Sequence, residues 1–261
     1  MQRMPATPTQ GNLPAVRRLE AVGFRAWPSA FVHYDGSWQI RLTKGHPSKR
    51  LNCIVPLDPS DHRDIAERLE KARRRFSEAE QVLTVRETPL TPRLLVEYLA
   101  SNGWSRFETV HVMTVDIEKA NLPDTIDHLP LQDVDRFAEA CAVLGASGSS
   151  NATVIADILS RIRPTTGFFL VDDLALGPRA CVLCVQDNDL AGIQSLAVDP
   201  SARSGGLGTE LVSAALRWAR LRGARTAWLQ VSAANEPAIA LYEKLGFVVA
   251  YDYHYWRKQQ S

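Results

Sequence analysis

The stretch Leu196-Ala-Val-Asp-Pro-Ser-Ala-Arg203-Ser-Gly-Gly206-Leu-Gly208-Thr-Glu-Leu211 runs from an apolar strand through a glycine-rich turn into an amphipathic helix. That layout builds an anion cradle. The first N–H groups of a helix have no intrahelical acceptor, and with the positive end of the helix dipole they hold a phosphate. Glycine lets the backbone approach such a ligand closely. A surface turn with an ordinary helix cap is the competing reading of the same residues.

Other nucleotide cradles fit less well. A Walker loop needs Gly-x-x-x-x-Gly-Lys-Ser/Thr after a strand, and no such run occurs. A dinucleotide fingerprint needs a third glycine where Leu211 stands and an acid about 20 residues on, yet Thr226 to Val231 offers no carboxylate. What remains is Arg203-x-x-Gly206-x-Gly208. The residues behind it continue the pattern: Leu211, Val212, Ala215, Leu216 and Ala219 recur at helical spacing up to a stop at Gly223. Ala227, Leu229 and Val231 alternate as a strand. Asn235-Glu-Pro-Ala238-Ile-Ala-Leu241-Tyr242-Glu-Lys-Leu-Gly246-Phe247 then reads as a helix with Pro237 in its first turn and Gly246 at its end.

This pair of motifs resembles the GCN5-related N-acetyltransferase (GNAT) superfamily. Arg203-x-x-Gly206-x-Gly208 is similar to its Arg/Gln-x-x-Gly-x-Gly/Ala loop. Asn235, Ala238, Leu241, Tyr242, Lys244, Gly246 and Phe247 match its Asn-x-x-Ala-x-x-Leu-Tyr-x-Lys-x-Gly-Phe helix. The resemblance implies that Arg203, Ser204, Gly205, Gly206, Leu207, Gly208 and Thr209 bind the pyrophosphate of acetyl-CoA, a co-substrate, without a metal. Asn235, Ala238 and Tyr242 would complete that site. The exposed backbone of Leu196, Ala197 and Val198 would pair with the pantetheine arm as a pseudo-strand.

The same resemblance makes Tyr242 the general acid that protonates the departing thiolate. A packed helix tyrosine with a wet hydroxyl is the alternative. Many relatives carry a glutamate on the strand before the loop to draw a proton from the amine, but Gln194 and Ser195 stand there, and Asp187 and Asp189 fall in the preceding turn. The base is open between a water held by Gln194, Ser195 or backbone carbonyls and a residue from elsewhere such as His254 in the terminal strand Tyr251-Asp-Tyr-His254-Tyr-Trp256, where a non-catalytic strand histidine is the competing reading.

Upstream, Leu129-Pro-Leu-Gln-Asp133 begins as a strand and leads into a helix carrying Val134, Phe137, Ala138 and Cys141. Gly145 to Ser150 breaks it, and a second helix is expected from Thr153 to Arg163. Phe168–Val171 and Ala180–Val185 read as strands joined through Gly177-Pro178, and Asp187-Asn188-Asp189 turns into the cradle strand. This is the GNAT order. In that fold the loop between the two helices borders the acceptor, so Ser147 to Ser150 is a candidate substrate contact, with a plain polar linker as the equal alternative.

The expected fold class is α/β, with a mixed, mostly antiparallel central sheet of GNAT type in two GNAT-like halves. The 261 residues leave room for a second unit beside the GNAT domain at residues 126–258. Residues 15–120 fill it, after a flexible tail at residues 1–14. There Trp38–Thr43, Leu51–Val55, Val82–Arg86 and Val110–Val115 read as strands, with helices over Asp61–Phe76 and Pro92–Ala100. No Arg-x-x-Gly-x-Gly occurs in this half, so the chain resembles a bacterial tandem-GNAT protein with a degenerate N-terminal half. Lys44-Gly-His-Pro-Ser-Lys49-Arg50-Leu-Asn52 resembles a hairpin of related tandem proteins that would help form the acceptor pocket; a plain basic hairpin is the even alternative.

Composition fits a cytoplasmic enzyme, at 45% hydrophobic and 23% charged, with no apolar run near the roughly 20 residues of a membrane helix. A net charge of +1 argues against a nucleic-acid partner. Cys181 and Cys184, three apart on a strand, point to opposite faces and suit core packing rather than a metal. The function expected is transfer of acetyl from acetyl-CoA to a primary amine of a small molecule or protein in a ternary complex. A homodimer is one assembly the resemblance allows. The competing function is a non-catalytic acyl-CoA-binding sensor or interaction module, suggested by the missing strand acid.

Overall fold

The computed structural model describes residues 12–124, 128–146, 148 and 151–259. The chain opens with helix α1 (Leu13–Ala26), whose Val16, Leu19 and Val22 are buried on one side. An antiparallel meander follows in β1 (Phe31–Asp35), β2 (Trp38–Leu42) and β3 (Cys53–Pro56). Helix α2 (Ile65–Glu78) crosses to β4 (Thr84–Glu87), which lies parallel to β3, and α3 (Arg93–Ser101) leads to the long β5 (Trp104–Asp116). Helices α4 (Val134–Leu144) and α5 (Ala152–Ser160) start the second half. It then repeats the plan of the first: meander β6 (Thr165–Asp173), β7 (Gly177–Asp187) and β8 (Leu190–Val198), crossover α6 (Leu207–Leu221), parallel β9 (Thr226–Ser232), α7 (Glu236–Lys244) and long β10 (Val248–Lys258).

All ten strands join one sheet in the order β1-β2-β3-β4-β10-β5-β9-β8-β7-β6. The last strand of each half is therefore exchanged. β10 pairs with β4 of the first half, with His254 opposite Glu87, while β5 pairs with β9 of the second, with Val110 opposite Ser232. β5 and β10 pair with each other at the centre, from Val248↔Thr114 to Lys258↔Trp104. The mixed, mostly antiparallel sheet agrees with the fold class expected from the sequence.

Strand alternation divides this sheet between two layers of helices. One face carries Val110, Val112, Leu183, Trp228, Tyr251, Tyr253 and Tyr255, packed with α1, α4 and α5 residues such as Leu19, Phe137 and Ile155. The other carries Met113, Val182 and Leu229 against α6 and α7, and, further along, Trp38, Ile54, Val85 and Trp256 against α2 and α3. Cys181 and Cys184 do fall in opposite layers, as their spacing predicts, and both are buried free thiols.

Several local expectations are corrected. Leu13 and Pro14 belong to α1 rather than a tail, Pro lying where its missing N–H costs nothing. Strand β1 has no signal in the sequence because it is an edge strand with a largely exposed Phe31, Val32 and Tyr34. The strand expected at Leu129–Asp133 shrinks to a single bridge between Leu131 and Phe168. Helix α5 ends at Ser160, short of Arg163, and Gly177-Pro178 opens β7 instead of forming the turn.

Because each half lends its last strand to the other, neither completes its own sheet. Residues 1–124 and 128–261 expressed separately will be insoluble or lack cooperative unfolding, whereas co-expression will restore a folded complex, read by size exclusion and thermal melting.

Candidate active site

Parallel strands β8 and β9 pair only from Leu190↔Thr226 to Ile193↔Leu229. Beyond Ile193 they part. The cause lies partly in β8 itself: Ser195 takes φ 52°, and the register against β7 shifts between Cys181 and Leu183, so β8 carries an extra residue there. The bulge turns the rest of β8 away from β9. Ala197 and Val198 remain paired with Cys181 and Ala180 of β7, which leaves the edge of Leu196–Val198 that faces β9 without a strand. Leu196 and Val198 pack partly buried against the α6 layer and Ala197 against the opposite one.

The turn after β8 is shaped by its own side chains. Asp199 accepts from the Ser201 N–H at 3.0 Å and from Arg179 Nη1 at 3.1 Å, which fixes the short turn Pro200–Ala202. Arg203 Nε donates to Val198 O at 3.3 Å, and the rest of this side chain is exposed beside the loop. Gly206 is the N-cap of α6 at φ 87°, and no side chain caps the helix there. Such a backbone favours glycine. Leu207, Gly208 and Thr209 form the first turn, and Glu210 N–H is bonded back to Gly206 O at 3.0 Å. A Cβ on Gly208 would meet Leu241 Cδ1 at 3.0 Å and Val198 Cγ2 at 3.5 Å, so glycine lets α6 start tight against α7 and β8. Ser204 and Gly205 are exposed at the lip of this turn.

Helix α7 closes the other side. Asn235 Oδ1 accepts from Ala238 N–H at 3.3 Å, so this residue caps its own helix. Ala238 packs against the α6 layer. Tyr242 is 7% exposed, edge-on to Phe247 at 5.8 Å between ring centres. Burial pushes its hydroxyl pKa well up, and the Arg50 guanidinium opposes that shift. The phenol is thus protonated at neutral pH.

Gln194 and Ser195 stand at the parting of the strands. Gln194 is 4% exposed and its Oε1 accepts from Arg50 Nη1 at 2.6 Å; Ser195 Oγ is buried with no hydrogen-bond partner among the described residues. His254 lies elsewhere. It alternates with Tyr253 and Tyr255 along β10 and so projects from the opposite face of the sheet, where Nδ1 is 3.0 Å from Thr109 Oγ1. Burial and then Arg106 lower its pKa. The geometry separates it from the other candidates.

A cleft of about 340 Å³ opens on the α1 side of the sheet, floored by Glu108 and Val110 of β5, Gln230 and Ser232 of β9, and Tyr253 and Tyr255 of β10. Its wall is Pro47–Arg50, so the Lys44–Asn52 segment does face the second half. Gly148 lines the far side; Ser147, Ser149 and Ser150 lie outside the described residues. Lys49 Nζ reaches Glu108 Oε2 at 2.8 Å and sits 5.7 Å from the Tyr255 ring centre. Glu108 is the one carboxylate in the cleft lining among the described residues. Glu108 could not be found from motif spacing, because it comes from the first half and reaches the site only through strand exchange, whereas Arg50 lies in the Lys44–Asn52 segment that the sequence singles out.

Residues 14–256 match the family described as "Probable histone acetyltransferase Rv0428c C-terminal". The uncharacterized N-acetyltransferase YobR of Bacillus subtilis is 23% identical over 253 residues, covering 92% of this chain and 97% of YobR. The uncharacterized N-acetyltransferase MJ1207 of Methanocaldococcus jannaschii is 35% identical over 91 residues, and the match spans 33% of this chain and 40% of that relative. Among solved structures, a GCN5-related N-acetyltransferase from Kribbella flavida superposes with a TM-score of 0.68 at 17% identity, covering 97% of this chain and 98% of the other. A tandem GNAT protein from the clavulanic acid biosynthesis pathway superposes at 0.61 and 15% identity, covering 98% and 91%.

Gly206→Val would force a β-branched residue to positive φ, at a cost of about 1–2 kcal/mol, and would crowd the cradle. Its expected effect is at least a tenfold loss of CoA affinity in calorimetry, with a folded protein by circular dichroism; unchanged affinity would dissociate the turn from the pyrophosphate.

Proposed function

The chain belongs to the family described as "Probable histone acetyltransferase Rv0428c C-terminal" and is a GNAT-type acetyltransferase, and from that premise we propose that it transfers acetyl from acetyl-CoA to a primary amine. The acceptor is an amine of a small molecule or protein, and attack is direct, within a ternary complex. One observation carries this reading: β8 leaves β9 directly ahead of the open N-terminus of α6, with Tyr242 packed behind the gap. The uncapped first turn suits a pyrophosphate, and the free edge of Leu196–Val198 suits the amides of a pantetheine arm.

Acetyl-CoA supplies an activated thioester carbon. The chain's residues then handle two protons. The amine nitrogen bonds to the carbonyl carbon as the C–S bond breaks and its electron pair stays on sulfur. Tyr242 O–H gives its proton to that sulfur, a role that needs a phenol kept neutral by burial. The attacking nitrogen loses a proton, and Glu108, across the cleft on β5, is the acceptor for it directly or through one water. The base therefore comes from the first half of the chain, which accounts for its absence from β8. Lys49 holds the carboxylate in the cleft until the acceptor arrives.

Thiol release from acetyl-CoA with a broad amine panel tests the reading. Turnover with one amine class supports it; tight acetyl-CoA binding with no turnover would favour the acyl-CoA sensor. Tyr242→Phe is expected to lower kcat by about 10²–10⁴-fold with little change in the KM for acetyl-CoA. Glu108→Gln should lower kcat by about 10²-fold, and full activity in that variant would remove the carboxylate from proton transfer.

A further inference from the structure

Three arginines of the first half converge behind the cleft. Arg41, Arg50 and Arg86 line a small cavity of about 10 Å³ together with Trp27, Gln194 and Gln230, room for about one water. Their charges are met differently. Arg86 Nη2 is 2.6 Å from Glu20 Oε1, a buried pair. Arg41 donates to the carbonyls of Trp27 at 2.8 Å and Arg50 at 3.1 Å, and to Gln39 Oε1 at 3.0 Å. Arg50 bonds only neutral Gln194, and among the described residues no carboxylate pairs with it. Arg41 and Arg50 thus both lack a carboxylate among the described residues, and Arg50 is the one that reaches Gln194, where β8 and β9 part.

The segment bearing Arg50 is held rigidly. Asn52 Oδ1 accepts from Thr43 N–H at 2.7 Å while its Nδ2 donates to His46 O at 2.7 Å and Ser48 O at 3.2 Å. Ser29 Oγ donates to Leu51 O at 3.0 Å, and buried His46 accepts from Ser48 N–H at 3.1 Å. Burial and then the Arg50 charge depress the His46 pKa to about 4, so this ring is neutral and adds no cation of its own. Such cross-linking of a loop fixes the position of one output, the Arg50 guanidinium. A fixed charge in a poorly hydrated site acts more strongly than one in water, because no reorganisation is needed when charge develops.

We propose that Arg50 is a positioning residue for leaving-group departure: it fixes Gln194 at the strand parting and supplies, from the first half, the positive charge toward which the CoA thiolate develops. The inference rests on the acetyl-CoA reading above and assigns the N-terminal half a part in leaving-group departure beside the proton acceptance given to Glu108. It acts on sulfur and on the Tyr242 hydroxyl, both of which gain negative charge as the C–S bond breaks.

The test is a pH titration of the thiolate absorbance of CoA bound to the wild-type protein, Arg50→Gln and Arg50→Lys, beside steady-state kinetics. In the wild type the bound thiol should ionise at lower pH than free CoA; Arg50→Gln should move that midpoint up by at least one unit, and Arg50→Lys should restore part of the shift. Kinetically, Arg50→Gln should lower kcat about 10²-fold at nearly constant KM for acetyl-CoA. Equal midpoints in wild type and Arg50→Gln, with both binding CoA and melting alike, would overturn the proposal. Failure of the wild type to bind CoA in calorimetry would instead remove the donor reading and this inference with it, while an inert Tyr242→Phe change would strike the acid alone.

Discussion

The antiparallel pairing of β5 with β10 is the constraint on which the rest depends. Each is the last strand of its half, and each is lent across the centre, so that β4 and β9 find their neighbours in the other half. An unpaired central strand would leave a ladder of N–H and C=O groups unsatisfied within the protein, which costs more than any surface rearrangement could return. The exchange therefore joins the two meanders in one rigid sheet. It also sets the floor of the cleft, because Glu108, Val110, Tyr253 and Tyr255 are neighbours on this one ladder.

A second consequence follows for the site. In the proposed reading the donor side is local in sequence: the bulge at Ser195, the turn through Gly206 and helix α7 all fall between residues 190 and 247. The acceptor side is not. Its wall and its carboxylate come from residues 47–50 and 108, more than 80 positions upstream of β8 by simple numbering. On that proposal the donor loop can stay constant while the other half reshapes what the acceptor meets.

The division explains what could be read from the chain. The turn through Gly206, the order of α6, β9 and α7, and the stop at Gly246 were legible because each rests on local chemistry: a helix start and a positive φ. Buried runs such as Ala180–Val185 were legible as strands for the same reason. Edge strand β1 was not, since little of it is buried, and α1 was missed because its buried Glu20 interrupts the apolar stripe. His254 looked available from its position in a terminal strand, but alternation along β10 turns it away from the cleft. The acid absent from β8 was legible as a gap, while the replacement proposed for it, Glu108, depended on strand pairing across the halves.

Glu20 shows why the interior tolerates so many charges. Its Oε1 accepts from Arg86 Nη2 and from the Tyr251 hydroxyl, both at 2.6 Å, and Arg86 lies 3.8 Å over the Tyr253 ring. A buried pair of this kind gives little net stability, yet removing one partner strands the other at a cost of about 3–5 kcal/mol. Replacing the pair with apolar groups would be cheaper in stability but would leave the floor of the cleft without fixed polarity. Glu20 neutralises Arg86, Arg41 is turned toward the carbonyls of Trp27 and Arg50, and the half-buried Arg50 is the cation that reaches Gln194. The buried network thus serves direction rather than stability: it holds Tyr251 and Tyr253 under the cleft and leaves the Arg50 guanidinium on Gln194, where the two parallel strands separate.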